Sequence, residues 1–83
     1  MKTIILTHAA AKDLDSLPAD VREEVSDAIV NYATTGRGDV KKLAGREGYR
    51  MRVGRYRVIF AQDAETILAI YVGKRETTTY ARN

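Results

Sequence analysis

Arginines alternate with apolar residues in two short neighbouring runs of the sequence. Arg50 and Arg52 interleave with tyrosine, methionine and valine, and Arg57 lies in a similar run just beyond Gly54-Arg55. A glycine at the first central position suits a two-residue type II′ turn, so we expect the two runs to pair as a β-hairpin. Because side chains alternate between faces along a strand, the three arginines should share one face and the apolar residues the other.

The predicted register brings two of these arginines directly opposite each other. With the turn at residues 54–55, Arg52 faces Arg57 and Arg50 faces Ile59. Like charges directly opposite destabilise a sheet, and the hairpin itself carries no acid. The pattern therefore predicts a site for an anion such as phosphate, which paired guanidinium groups bind well. The alternative is that the arginines are solvated residues that keep an open sheet face soluble.

Positive charge is concentrated in the second part of the chain. The 83 residues carry a formal net charge of +3. Residues 1–47 hold seven Lys/Arg and eight Asp/Glu, whereas residues 48–83 hold seven and three, and six of those seven bases are arginine. A basic half rich in arginine favours contact with nucleic-acid phosphate.

Further residues are candidates for the same site. Arg55 lies in the hairpin turn, and Lys74 and Arg75 follow the last predicted strand, whose end should lie near the hairpin if the two are adjacent. Tyr80 could stack on a base or donate its hydroxyl, or it could cover an edge of the core. His8 is expected to be a structural residue at the start of a helix.

Composition excludes several classes of site. The chain has no cysteine, which rules out disulfides and zinc–thiolate sites, and its single histidine cannot form a metal site alone. We expect no cofactor, because a chain this short leaves little room for a large cofactor cavity beside its core, and the expected chemistry calls for no metal. The apolar run Ile4 to Leu6 is too short for a signal peptide, and no segment approaches the roughly 18 apolar residues of a membrane helix. A soluble, cytoplasmic protein is expected.

The elements that position the arginines follow from the hydrophobic periodicity. A β-prone run at residues 2–7 precedes two helices, the first capped by Thr7 and the second ending at Gly36. Residues 36–48 are predicted to form a loop. The hairpin follows, and then an almost continuously apolar run at residues 66–72, which is typical of a central strand covered on both faces.

The predicted fold is α+β, in the order β-α-α-β-β-β with a short tail. An N-terminal strand and a two-helix hairpin precede a three-stranded antiparallel meander, and the helices pack on one face of the sheet. Residues 1–83 are expected to form one domain.

Four ordered motifs resemble the RelE/ParE toxin superfamily of type II toxin–antitoxin systems. No single motif is specific, but their order is, and the resemblance covers nearly the whole chain. The motifs are Lys41-Lys42-Leu43-Ala44-Gly45, Tyr49-Arg50-Met51-Arg52-Val53, Gly54-Arg55-Tyr56-Arg57-Val58-Ile59-Phe60 and Val72-Gly73-Lys74-Arg75-Glu76.

The resemblance implies a function for the basic face. RelE-like toxins enter the ribosomal A site and cut mRNA there, and each is silenced by a cognate antitoxin, here expected to be acidic and to form a hetero-oligomer with the toxin. Arg50 and Arg52 stand where lysine is common in the best-known branch, and the spacing from Arg75 to Tyr80 differs from that branch by one. On this basis the predicted catalytic residues are Arg57, Arg75 and Tyr80, and the predicted RNA-binding residues are Arg50, Arg52, Arg55 and Lys74.

The basic face has no conventional acid–base pair. Cleavage of RNA by its own 2′-hydroxyl requires a proton acceptor, charge neutralisation and a proton for the leaving oxygen. Arginine stays protonated, so we expect the protein to orient RNA and to cluster positive charge on the transition state, with a Tyr80 phenolate as one candidate base. Two alternatives remain open: a ParE-like toxin that inhibits DNA gyrase, and a non-catalytic RNA-binding module.

Overall fold

Two helices lie on one face of a five-stranded mixed sheet in the computed structural model, which describes residues 1–74. The predicted α+β architecture is confirmed, with one additional strand. None of the described helices is long and apolar enough to cross a membrane. The elements in chain order are β1 (Thr3–Leu6), α1 (His8–Asp15), α2 (Ala19–Thr35), β2 (Val40–Lys42), β3 (Tyr49–Val53), β4 (Tyr56–Gln62) and β5 (Thr66–Lys74).

Local sequence signals explain where the helices begin and end. Thr7 caps α1, because its Oγ1 accepts a hydrogen bond from the backbone N–H of Ala10 at 3.1 Å. Pro18 is the N-cap of α2, immediately before its first turn. The same helix ends at Gly36, whose φ of 76° lies in the left-handed region that favours glycine.

The helices bury their apolar faces against the sheet. Phe60 of β4 is fully buried at the centre, with the Tyr49 ring stacked on it at a centroid distance of 5.6 Å and the Tyr32 ring edge-on at 5.7 Å. Because this packing fixes the apolar face of the hairpin toward the helices, the arginine face must point away from them. The buried cluster comprises Ala10, Val25, Ile29, Ala33, Met51, Val53, Val58, Phe60, Ile67, Ala69 and Val72.

The sheet order is β1-β5-β4-β3-β2. Strands β3, β4 and β5 form the predicted antiparallel meander, and β1 runs parallel to β5, which is therefore an interior strand with a neighbour on each side. The prediction that this strand is covered on both faces is wrong for residues 1–74. Ile70 and Tyr71 are each 42% exposed on the face without helices.

An edge strand, β2, occupies part of the segment that was predicted to be a loop. Lys41 pairs with Arg50, and Val40 pairs with Met51. Three residues are too few for an alternating pattern to be recognised in the sequence. Backbone hydrogen bonding to β3 forms this strand, and it adds Lys41 to the row that contains Arg50.

Candidate nucleic-acid interface

The β3–β4 hairpin has the turn and the register that the sequence predicted. Gly54 has a φ of 59°, whereas Arg55 has a negative φ, as a type II′ turn requires. Arg52 pairs with Arg57, and Arg50 pairs with Ile59. The three predicted arginines therefore share the face that is opposite the helices.

Arg52 and Arg57 are held side by side by the hydrogen-bonding pattern of the sheet. The backbone N–H of Arg52 donates to the carbonyl oxygen of Asp39 at 3.0 Å, so it points away from β4. Arg52 and Arg57 thus form a non-hydrogen-bonded pair, the kind whose side chains approach each other most closely. Their mutual repulsion would be relieved by a phosphate that accepts from both guanidinium groups.

The carboxylate of Asp39 reaches Arg52 of this pair from outside the hairpin. Oδ2 of Asp39 lies 3.6 Å from Nε of Arg52, and the two side chains are 53% and 40% exposed. Sequence reasoning missed this contact because Asp39 lies in a segment predicted to be a loop. An exposed ion pair contributes about 0–1 kcal/mol, so a phosphate can compete with Asp39 for Arg52.

Two rows of cross-strand neighbours make up the basic face. Sequence reasoning identified the arginines of both rows. It missed Lys41 of the edge strand β2 and Tyr71 of β5. The rows are Lys41, Arg50, Ile59 and Tyr71, and Arg52, Arg57 and Gly73.

A β-bulge in β5 turns two consecutive residues toward the basic face. Ile59 pairs with Tyr71, but its neighbour Phe60 pairs with Ala69, so Ile70 has no position of its own in the ladder. Because Ile70 is an extra residue, Ala69 and Tyr71 on either side of it still point to the same sheet faces as their partners in β4. The bulge explains why an apolar run of β5 has exposed members.

Groups near α1 bond to the backbone at the bulge. The Thr7 hydroxyl donates to the carbonyl oxygen of Ile70 at 3.2 Å, and Oδ2 of Asp13 accepts the backbone N–H of Val72 at 3.1 Å. These contacts give hydrogen-bond partners to the backbone carbonyl of Ile70 and the backbone N–H of Val72 at the bulge. They couple the first helix to the shape of the basic face.

A groove runs between the 43–48 loop and the exposed parts of β4 and β5. It consists of two neighbouring cavities of about 610 and 380 Å³. Apolar side chains of Ile59 and Ile70 line the smaller cavity together with the cationic side chains of Arg46 and Arg57. An apolar floor beside cations offers contacts both to a base and to a phosphate.

The remaining predicted residues lie in different places. Arg55 is exposed in the hairpin turn. Lys74 pairs with Tyr56, whose side chain packs against the core, so the register assigns Lys74 to the helix side of the sheet rather than to the Arg57 side. Arg75 and Tyr80 lie outside the described residues.

The described face offers positive charge and shape more than acid–base groups. Asp39 is ion-paired with Arg52, and Glu47 lines the larger cavity at the rim of the face. Residues 1–74 contain no cluster of histidine, aspartate and glutamate that could hold a metal ion. The arrangement can bind and orient a polyanion and can stabilise negative charge that develops on it.

Comparison of sequences relates residues 4–78 to a known family. This segment matches the family described as ParE toxin of type II toxin–antitoxin system, parDE. Comparison with curated proteins gave no match.

Several solved structures share the fold. The RelBE2 toxin–antitoxin complex from Mycobacterium tuberculosis contains a chain that matches with a TM-score of 0.76 and 26% identity, over 89% of this chain and 98% of that one. A chain of the archaeal RelE-RelB complex from Pyrococcus horikoshii OT3 matches at 0.72 and 27%, over 92% and 97%. A chain of the RelB-RelE antitoxin–toxin complex from Methanococcus jannaschii matches at 0.73 and 25%, over 94% and 96%.

Proposed function

The chain belongs to the ParE toxin family of type II toxin–antitoxin systems, and from that premise we propose that it is a ribosome-dependent endoribonuclease. It would inhibit translation by cutting mRNA in the A site. The observation that carries the proposal is the Arg52–Arg57 pair on an open sheet face, with Arg50 and Lys41 in the adjoining row. Such a surface suits the phosphate backbone of an extended RNA.

The proposed mechanism depends on charge and orientation. As the 2′-oxygen bonds to phosphorus, the bond from phosphorus to the 5′-oxygen breaks, and the leaving 5′-oxygen takes a proton from water. Negative charge grows meanwhile on the non-bridging oxygens of the scissile phosphate. Arg52 and Arg57 would donate to those oxygens and stabilise the transition state more than the ground state. Because arginine keeps its proton, these residues neutralise charge and do not remove a proton. Arg50 would hold a flanking phosphate.

Residues beyond position 74 complete the proposed site. Arg75 would supply a further cation at the scissile phosphate, and a Tyr80 phenolate would accept the proton of the 2′-hydroxyl. Arg55, in the exposed hairpin turn, would contact neighbouring RNA, whereas Lys74 would reach RNA only around the sheet, from the helix side. The ribosome would hold the mRNA in the reactive geometry, so the same RNA free in solution should be cut poorly.

A cognate acidic antitoxin is the proposed partner. The basic face is open in the described part of the chain, and a segment that carries acidic side chains could cover it. Two of the related structures are described as toxin–antitoxin complexes, which supports a hetero-oligomer here too. The translating ribosome is cytoplasmic, and so is the proposed site of action.

A second candidate function is inhibition of DNA gyrase. The observation that favours it is the match to a family described by the ParE name over residues 4–78. In that case the basic face would bind gyrase or its DNA and would carry out no chemistry of its own.

A cell-free translation reaction separates the candidates. The purified protein should arrest synthesis and leave mRNA cut at codon boundaries, and the same mRNA without ribosomes should stay largely intact. Intact mRNA together with blocked gyrase supercoiling would establish the second candidate. Binding to RNA with neither effect would indicate a non-catalytic RNA-binding module, and either result would overturn the proposal.

A further inference from the structure

Tyr71 leans from its own row into the arginine row. A Cβ atom built on Gly73 would collide with the hydroxyl and ring carbons of Tyr71, so the ring lies directly over this glycine. Gly73 is the cross-strand neighbour of Arg57. The aromatic ring is therefore next to the arginine pair while it remains 42% exposed.

The surrounding structure holds the ring in this position. The bulge at Ile70 directs Tyr71 outward, and the hydrogen bond from Val72 N–H to Asp13 supports the strand just beyond it. Gly73 does not have a positive φ, so its backbone does not require glycine. What requires glycine at this position is the space that the Tyr71 ring occupies.

We propose that Tyr71 is a stacking platform for the nucleobase that adjoins the phosphate bound by Arg52 and Arg57. This inference rests on the proposed function, because it assumes that RNA is the ligand of the basic face. A flat ring accepts any base, and the cations beside it hold the sugar–phosphate backbone. Tyr71 and Arg57 both line the smaller cavity, so a single nucleotide can contact both.

Substitution of Tyr71 tests the contact in two assays, cleavage in the translation reaction and binding of a labelled single-stranded oligoadenylate. Tyr71→Ala should weaken binding by about 5- to 150-fold, the equivalent of one lost base stack. Tyr71→Phe should stay close to the parent, because the ring is kept. Full activity of a folded Tyr71→Ala protein would overturn the inference and leave the proposed function standing.

A tryptophan probe reports stacking directly, because the chain contains no tryptophan of its own. Fluorescence of a Tyr71→Trp variant should be quenched as oligoadenylate is added. The matched control is Val30→Trp, at a position of α2 that is 47% exposed and lies in the helical layer. Equal quenching in the two variants, or none in either, would contradict stacking at Tyr71.

Gly73→Ala provides a test of position rather than of chemistry. Alone it should reduce oligoadenylate affinity, because its Cβ displaces the ring, but it should have no further effect in the Tyr71→Ala background. Independent, additive losses would overturn the inference, with thermal unfolding used to confirm that each variant is folded.

Loss of antitoxin binding with unchanged RNA affinity would identify a protein-docking residue instead. A parent that neither binds nor cuts RNA would refute the proposed function itself.

Discussion

Arg57 occupies the centre of the basic face. Arg52 lies beside it in β3, and Gly73, which has no side chain, lies beside it in β5. One neighbour adds a second guanidinium group, and the ring of Tyr71 lies over the other. This position between Arg52 and the Tyr71 ring makes Arg57 the side chain best placed to contact a phosphate.

Arg57→Ala should abolish growth arrest in cells that express the protein. Removal of a charged hydrogen-bond donor costs about 1.5–3 kcal/mol of binding, which is roughly 10- to 150-fold. The growth arrest caused by Arg57→Lys should fall between that of the alanine variant and that of the parent. Lysine keeps the charge but cannot form a bidentate pair of hydrogen bonds to phosphate. Arg37→Ala, at an exposed position after α2, is the matched control. Undiminished arrest by a folded Arg57→Ala protein would remove Arg57 from the site.

Asp39→Asn should have the opposite effect on RNA binding. The carboxylate of Asp39 lies 3.6 Å from Arg52 Nε, so a phosphate bound by Arg52 would have to compete with it. The neutral variant should bind oligoadenylate more tightly. The slope of its log binding constant against log salt concentration should become steeper by up to about one, because up to one more counterion is released. Stability should change by no more than about 1 kcal/mol. Asp20→Asn, in the first turn of α2, is the control, and equal affinities of both variants would show that Asp39 does not compete.

At the scale of single residues, the sequence predicted the arginines well and their neighbours poorly. The three arginines follow from an alternating pattern within one hairpin, which needs no knowledge of the rest of the fold. Asp39 reaches the face at the start of β2, and Tyr71 reaches it through the β-bulge at Ile70; neither feature was predicted. No local pattern marks such contacts.

The bulge in β5 is the element on which the shape of the face depends. Thr7 and Asp13 both form hydrogen bonds to its backbone, and the bond from Val72 to Asp13 joins residues 59 positions apart. Helix ends and the hairpin turn could be predicted because a threonine cap and well-placed glycines specify them locally. The bulge and the three-residue strand β2 could not, because tertiary hydrogen bonds form them.

The turn between β4 and β5 depends on an aspartate. Oδ1 of Asp63 accepts the backbone N–H groups of Glu65 and Thr66, each at 2.8 Å. These two hydrogen bonds lower the pKa of Asp63 below its ordinary value of 3.8. Since the folded-state pKa is the lower one, the stabilisation is present above 3.8 and is lost as the pH falls through the folded-state value.

Asp63→Asn should therefore destabilise the protein in a pH-dependent way. The difference in unfolding free energy from the parent should be largest near neutral pH and should shrink at a pH below 3.8. Urea unfolding at the two pH values measures it, with Asp27→Asn on the exposed surface of α2 as the control. A difference that is the same at both pH values would show that the carboxylate charge does not stabilise the turn.

Across the described molecule, the helices and the basic face lie on opposite sides of one sheet. The helices cover the apolar side of the hairpin, and this arrangement leaves the charged side open in the described chain. The architecture was predictable because each helix and each hairpin strand has one clear apolar face. The position of β1 beside β5 was not, because it is set by pairing between the two ends of the described chain.

The same separation of faces predicts how an antitoxin binds. An acidic, helix-forming segment that folds on the basic face should lose affinity as salt concentration rises. Charge reversal by Lys41→Glu together with Arg50→Glu should weaken the complex, whereas Arg37→Glu should not. Calorimetric titration measures both. A complex whose affinity responds neither to salt nor to the paired reversal would place the antitoxin elsewhere.

The parallel pairing of β1 with β5 also determines when the sheet can be completed during synthesis and folding. Thr7 bonds to Ile70, 63 positions later, and contacts between such distant residues form late and slowly. While the protein is being synthesised, β1 has no partner until β5 has left the ribosome, and until then the sheet lacks the strand that carries Tyr71 and Gly73. A protein proposed to stop ribosomes thus reaches its active shape only after β5 has been translated.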